Sequence, residues 1–391
     1  MSTHRPPARG FPVAEFESRV QAAQRMMHEQ TIDVLLLTTE PEFRYFSGFH
    51  SDFWLSPTRP WYLLVPLQGQ PIAIIPEIGA SSMRATWIED IRTWPSPVPQ
   101  DDGISLLKTA LSAVVPRFGS IGIPMGPETH LRMPLCDFQR LRDELTGKQF
   151  VDATSVVRTL RMVKSEAEIE KLRHVCGCVS AAFAAFPQLA VAGATEAELF
   201  RVFRTELLRC GVDKSPYLVG AAGAGGYADI IKQPSDVEVA AGDVLIFDTG
   251  SVFDGYFSDF DRNFCFGVPA SEAARAYDVL YRATEAGLAA VRPGVTTSDL
   301  WRAMAEVLDE GGSLGDQVGR FGHGLGMQLT EWPSNMPGDD TVLQAGMVIT
   351  LEPGMVFGDG KLMVHEEDVV VREDGYELLS QRAAPELVVI G

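Results

Sequence analysis

Residues 350–371 read TLEPGMVFGDGKLMVHEEDVVV. Apolar runs flank Asp359-Gly360, and Asp-Gly in that setting is the strongest short hairpin signal, because a type I′ turn needs positive φ at both central residues. With those two residues as the loop, Gly358 faces Lys361. Counting outward, Glu352 then faces Glu367. Opposed residues share one face of a sheet, with Cβ atoms about 5 Å apart. On that count Glu366 points to the other face. Two carboxylates held so close repel and require a counter-charge.

A second ribbon repeats the arrangement. Residues 243–267, DVLIFDTGSVFDGYFSDFDRNFCFG, are two β-like runs around Asp254-Gly255. A two-residue loop places Asp248 opposite Asp261. A four-residue loop over 252–255 places it opposite Asp259. Either way, the period of two puts Asp248, Asp259 and Asp261 on one face. The flanking residues, such as Val244, Ile246, Val369 and Val371, are strongly apolar. A single carboxylate of this kind is ordinarily surface charge. Matched pairs in two apolar ribbons must share protons or hold metal, and four of them suit two divalent cations. His323 completes the set, in GRFGHGLGMQL at 319–329. Its glycine neighbours let backbone approach closely and leave the ring edge open. Four carboxylates and one imidazole form a hard, oxygen-rich site for Mn, Fe, Co or Zn.

These residues resemble a known family. FDTG, GYFSDFDRNF, GHGLGMQLTEWP, TLEPGM and HEEDVVV are similar to the five metal-ligand motifs of the pita-bread metallohydrolases. That family includes Xaa-Pro dipeptidase (prolidase), aminopeptidase P, methionine aminopeptidase and the metal-free creatinase. The resemblance implies an α+β pita-bread catalytic domain over 160–391, preceded by an α/β creatinase-type domain over 1–155. It implies that Asp248 binds one metal, Asp259 bridges both, His323 and Glu352 bind the other, and Glu367 bridges. Glu352 is also the implied acid-base group. It further implies a homodimer in which an N-terminal loop reaches the partner's pocket. His50, Phe53 and Trp54, within the aromatic stretch 48–62, are then candidates for contact with substrate.

Several positions depart from the family pattern. Gly319 and Thr330 stand where Xaa-Pro members often carry histidine, and DIIKQPSD lacks the histidine that precedes this segment in peptidase members. Thr330 is kept as a substrate-binding candidate. His365 replaces an arginine two residues before Glu367. It is either a catalytic substitute for the lost histidines or a group hydrogen-bonded to a ligand. Asp261 replaces the usual threonine and is expected to support a ligand from behind. These departures leave three readings. The first is a hydrolase of a C–N bond in a dipeptide or small metabolite. The second is a metal-dependent lyase acting on a compound such as dimethylsulfoniopropionate, although Gly250 stands where that lyase carries a further acid. The third is a non-catalytic binding module.

The rest of the sequence sets bounds. The 391 residues suggest two domains or three. A net charge of -19 argues against nucleic acid or anionic membrane as a partner. Five cysteines without a CxxC pair are read as reduced thiols, and no apolar signal core or membrane span is apparent, so a cytoplasmic protein is expected. GAAGAGGYADI, 220–230, matches a dinucleotide-binding pattern by eye. No helix signal follows it, so a flexible pocket wall is the expected role. Capping boxes at Ser165/Glu168 and Thr195/Glu198 mark two helix starts.

Overall fold

The computed structural model describes residues 5–115, 117–315 and 318–391. The chain divides into a unit at Ala8–Arg161 and a second containing Met162–Gly391.

The first unit is built on six strands: β1 (Val34–Leu37), β2 (Tyr62–Pro66), β3 (Ile72–Pro76), β4 (Asp90–Trp94), β5 (Ser120–Ile123) and β6 (Gln149–Asp152). They form one mixed sheet in the order β4-β3-β2-β1-β5-β6. Val34, Leu36, Tyr62, Leu64, Ile72 and Ile74 pack with Ile104, Leu107 and Leu111 of the helix Ile104–Val114. This is the α/β unit expected from strands alternating with helices. Phe53 and Trp54 lie in a short 3-10 turn, Asp52–Leu55, within an aromatic cluster. Trp54 stands 5.2 Å from Phe43 and 5.7 Å from Trp61, ring to ring, and Arg132 covers its face at 5.0 Å. Within their own unit these two residues therefore pack with other rings, while His50 is exposed.

The second unit holds two larger sheets. β7 (Lys214–Val219), β8 (Ala222–Ala224), β9 (Asp243–Phe253), β10 (Tyr256–Phe257) and β11 (Phe260–Phe266) form the first, with the C-terminal strand Val388–Ile390 at the edge of β11. One face of β9 and β11 carries Phe247 and Phe264. They pack with Phe186 and Phe203 of helices Glu166–Leu189 and Glu196–Cys210. Both helices start at capping boxes, on Ser165/Glu168 and Thr195/Glu198, where serine or threonine and glutamate satisfy otherwise orphaned backbone donors.

The second sheet contains β12 (His323–Gly324), β13 (Glu331–Ser334), β14 (Val348–Leu351), β17 (Glu367–Arg372) and β18 (Gly375–Leu378), while β15 (Gly354–Gly358) and β16 (Lys361–Val364), between β14 and β17 in the chain, pair as a separate two-stranded hairpin. Ile349, Leu351, Val369 and Val371 bury against Leu280, Ala283, Leu300 and Met304 of helices Ser271–Ala290 and Thr297–Glu310. Helix pairs thus cover one side of each sheet, as a pita-bread fold requires. All five cysteines are free. Among the described residues no helix is long and apolar enough to cross a membrane.

Candidate metal centre

The β9–β11 ribbon folds as a two-residue hairpin. Asp254 and Gly255 have φ of 46° and 78°, both positive as a type I′ turn demands. Asp248 pairs with Asp261, and the register holds from Thr249/Phe260 to Val244/Cys265. Asp259 lies between β10 and β11, where its N–H donates to Asp368 Oδ2 at 2.9 Å rather than to a neighbouring strand. That bond fixes the peptide from which the Asp259 side chain leaves.

The other ribbon departs from expectation. Gly360 has φ of 63°, but Asp359 is not in the positive region, so the turn is not type I′. Gly358 does pair with Lys361, yet the register slips by one before Val356, which pairs with Leu362. From there the pairing is that of a three-residue loop ending in a left-handed glycine. The slip persists into β14 and β17, where Leu351 pairs with Glu367 and Thr350 with Asp368. Extending the register by one residue sets Glu366, not Glu367, opposite Glu352. A shift of one residue exchanges the two faces of a strand, so the expected ligand and its neighbour change places.

Their surroundings follow from this exchange. Glu366, Asp259 and His323 each offer an atom within 4.8 Å of the others. With Asp248 and Glu352 they line one cavity of about 400 Å³. Glu367 lies on the side of Leu351 and Val369, facing the helices. There it accepts hydrogen bonds from Arg262 at 2.9 Å, Arg382 at 3.0 Å, the Ala383 N–H at 2.9 Å and the Ser380 hydroxyl. Burial pushes its carboxyl upward, but the charges of Arg262 and Arg382 and the Ser380 hydrogen bond outweigh this and hold it below the usual range. Glu367 is thus the anion of a buried ion pair.

His365 is likewise turned away from the cavity. Arg382 donates to Nε2 at 3.2 Å, so Nδ1 carries the hydrogen and donates to Thr284 Oγ1 at 3.1 Å. Burial depresses its pKa to about 3, keeping the ring neutral. It touches Glu367's partner rather than the cavity, which removes its expected catalytic role.

His323 is held by backbone on both sides. A Cβ on Gly322 would lie 2.1 Å from Thr350 O, and one on Gly324 would lie 2.1 Å from Trp332 O. Only glycine fits at either position. His323 Nδ1 faces the Gly324 carbonyl at 2.9 Å and must therefore carry the hydrogen. This leaves the Nε2 lone pair free, 3.4 Å from Asp259 Oδ2. Burial lowers the ring's pKa to about 4, the neutral state a metal ligand needs.

The carboxylates are the complement. Burial raises Asp248 to about 7 despite a hydrogen bond from Tyr217, and raises Glu352 to about 8 with help from Asp248. Burial, followed by the charges of the other carboxylates, pushes Asp259 and Glu366 well above the usual range. Asp248 Oδ1 and Glu366 Oε1 are buried with no hydrogen-bond partner. Buried anions crowded together with orphaned oxygens are what a bound cation would satisfy, so these residues fit divalent metal. Asp261 is also buried and does not line the cavity. Thr330 does line it, as do Ala228, Asp229 and Ile230 from the glycine-rich segment and Ile231 just after it. Sequence reasoning missed Arg320, the only lysine or arginine among the described lining residues. Its guanidinium is steadied by Ser334 Oγ at 3.1 Å and Thr330 Oγ1 at 3.4 Å.

Comparisons with known proteins identify the family. Residues 170–373 match the model of metallopeptidase family M24, and 19–163 match the creatinase/prolidase N-terminal domain. The chain belongs to metallopeptidase family M24. It is a metal-dependent hydrolase with the pita-bread fold. A probable dipeptidase PepE of Mycobacterium tuberculosis is 30% identical over 94% of this chain and 95% of its own length. The crystal structure of dipeptidase PepE from Mycobacterium ulcerans, 29% identical, superposes with a TM-score of 0.84 over 97% of this chain and 99% of that one. A prolidase structure from Thermococcus sibiricus, 24% identical, shares the fold at a TM-score of 0.86 over 96% of this chain and 99% of that one. These relatives support the hydrolase reading over the lyase and binding-module readings.

Proposed function

We propose that this M24 hydrolase cleaves the peptide bond of a dipeptide, using two divalent cations held by Asp248, Asp259, His323, Glu352 and Glu366. The observation that carries this is the convergence of those five groups, four of them buried and Glu352 half-buried, on one cavity, with oxygens of Asp248 and Glu366 lacking any hydrogen-bond partner. Four carboxylates balance the charge of two divalent ions. Such ions, Mn or Fe among them, supply Lewis acidity that polarises a carbonyl and makes water nucleophilic near neutral pH.

The chain's own residues do the rest. The cavity, about 400 Å³, is of a size to enclose a dipeptide. Arg320 offers a fixed cation for the substrate carboxylate. Asp229, exposed among the lining residues, offers an anion for the substrate ammonium. Water adds to the scissile carbonyl carbon, the C–N bond breaks, and the leaving amine takes up a proton. Glu352 lines the cavity and is the group placed to move that proton. Thr330 occupies the wall where Xaa-Pro members often have histidine, so a proline requirement is not built in. The PepE relatives, named as dipeptidases, support the same substrate class.

The test is incubation of Mn- or Fe-supplied protein with a panel of dipeptides, with and without C-terminal proline, followed by quantification of free amino acids. Release from dipeptides, but not from their C-terminal amides, supports the reading. No release from any dipeptide, with metal bound, overturns it.

A further inference from the structure

We propose that Asp261 is a sixth protein ligand of the metal centre, a carboxylate added at the Asp248 end. This rests on the dinuclear reading above. Asp261 is 1% exposed, and both of its carboxylate oxygens are buried without a hydrogen-bond partner. A buried charged group with neither hydrogen bond nor ion pair is strongly disfavoured, so this side chain needs a partner the protein itself does not supply. Arg262, the adjacent cation, is committed elsewhere. Its guanidinium donates to the backbone carbonyls of Asp261, Glu366 and Gln381 and to the Glu367 carboxylate.

Position points to what the partner is. Asp261 is the direct cross-strand partner of Asp248. Side chains so paired share a face, with Cβ atoms about 5 Å apart. Asp248 Oδ1 is also buried and unpartnered. Asp261 does not line the open cavity, but its two orphaned oxygens belong to a side chain on the same face of the ribbon as Asp248, whose Oδ1 is orphaned too, and Tyr217 engages only Asp248 Oδ2, at 3.1 Å. A cation with oxygen ligands at about 2.0–2.6 Å bridges such a pair of carboxylates. A neutral threonine hydroxyl at this position would bring a hydrogen-bond donor and no charge. An ionised carboxylate cannot donate one and brings charge instead. A fifth carboxylate leaves the centre with one surplus negative charge and a larger oxygen shell. Both favour a hard cation of high coordination number such as Mn2+ over a four-coordinate Zn2+.

The experiment is Mn2+ titration of metal-stripped full-length protein by calorimetry, with stoichiometry confirmed by mass spectrometry, in wild type, Asp261→Asn and Asp261→Thr. Asparagine keeps the shape and, like threonine, can donate a hydrogen bond to Asp248. A merely positioning role would therefore survive in it. Both variants are expected to bind Mn2+ at one of the two positions about tenfold or more weakly. Metal-free, both should melt at or above the wild-type temperature, because an unpaired buried carboxylate is gone. Wild-type Mn2+ affinity in Asp261→Asn overturns the proposal while leaving the five-residue centre standing. So does a lower metal-free melting temperature in that variant, which would reveal a stabilising protein partner. Fewer than two Mn2+ per wild-type chain overturns both this proposal and the dinuclear reading.

Discussion

Glu366 and Glu367 are adjacent, chemically identical and both buried, yet they should fail in opposite ways when neutralised. In Glu367→Gln the carboxylate facing Arg262 at 2.9 Å and Arg382 at 3.0 Å is lost. Breaking a buried ion pair by removing one partner costs about 3–5 kcal/mol, because the other charge stays buried. Here the lower end applies. Arg262 retains carbonyl acceptors on Asp261 and Glu366, and Arg382 retains Glu285 at 2.7 Å. A loss of about 3 kcal/mol corresponds to a fall of about 6–12 °C in melting temperature for a unit of this size. Metal content should be retained. In Glu366→Gln an oxygen with no hydrogen-bond partner is removed. The metal-free protein should melt no lower than wild type, while bound metal falls by at least one equivalent. Thermal melts of metal-stripped protein, paired with metal analysis of loaded protein, separate the two. A Glu367→Gln variant that loses metal without losing stability, beside a Glu366→Gln variant that keeps two equivalents, would refute the slipped register.

Other perturbations have equally definite outcomes. Arg320→Gln should lower kcat/KM for dipeptides about tenfold or more in a steady-state assay, the scale of a lost charged hydrogen bond. Gly322→Ala forces a Cβ to within 2.1 Å of Thr350 O at φ of 124°. It should destabilise the protein by about 3 kcal/mol or more and reduce bound metal through His323. The Glu196 carboxyl is pushed up by burial, yet hydrogen bonds from Ser235, Ala222 and Lys232 win and hold it below its usual value. A depressed folded-state pKa stabilises the fold above the unfolded pKa of about 4.3, and this contribution is lost as pH falls through the folded value. Melting curves from pH 7 down to pH 3 should therefore show a flatter acid limb in Glu196→Gln than in wild type.

Much of this was legible in the sequence, for physical reasons. Capping boxes at Ser165 and Thr195 mark helix starts because they satisfy specific backbone donors locally. The Asp254-Gly255 turn fixes its ribbon because both residues adopt positive φ. His323 stands between glycines because backbone carbonyls press on both. The Asp359-Gly360 ribbon misled because the same dipeptide also closes a three-residue loop, and local sequence does not separate the two. One residue of slip exchanged Glu366 for Glu367 and turned His365 toward Thr284. Arg320 was illegible because a lone arginine beside a glycine-rich loop carries no spacing signal. It is the fold that brings it to the same cavity as Glu352.

The positions of the bound cations are the most direct test of a two-metal centre on these five residues. A crystal of the full-length protein grown with Mn2+, measured at the manganese absorption edge, should show two anomalous peaks bounded by Asp248, Asp259, His323, Glu352 and Glu366. A peak against Glu367, or no peak among those five residues, would contradict it.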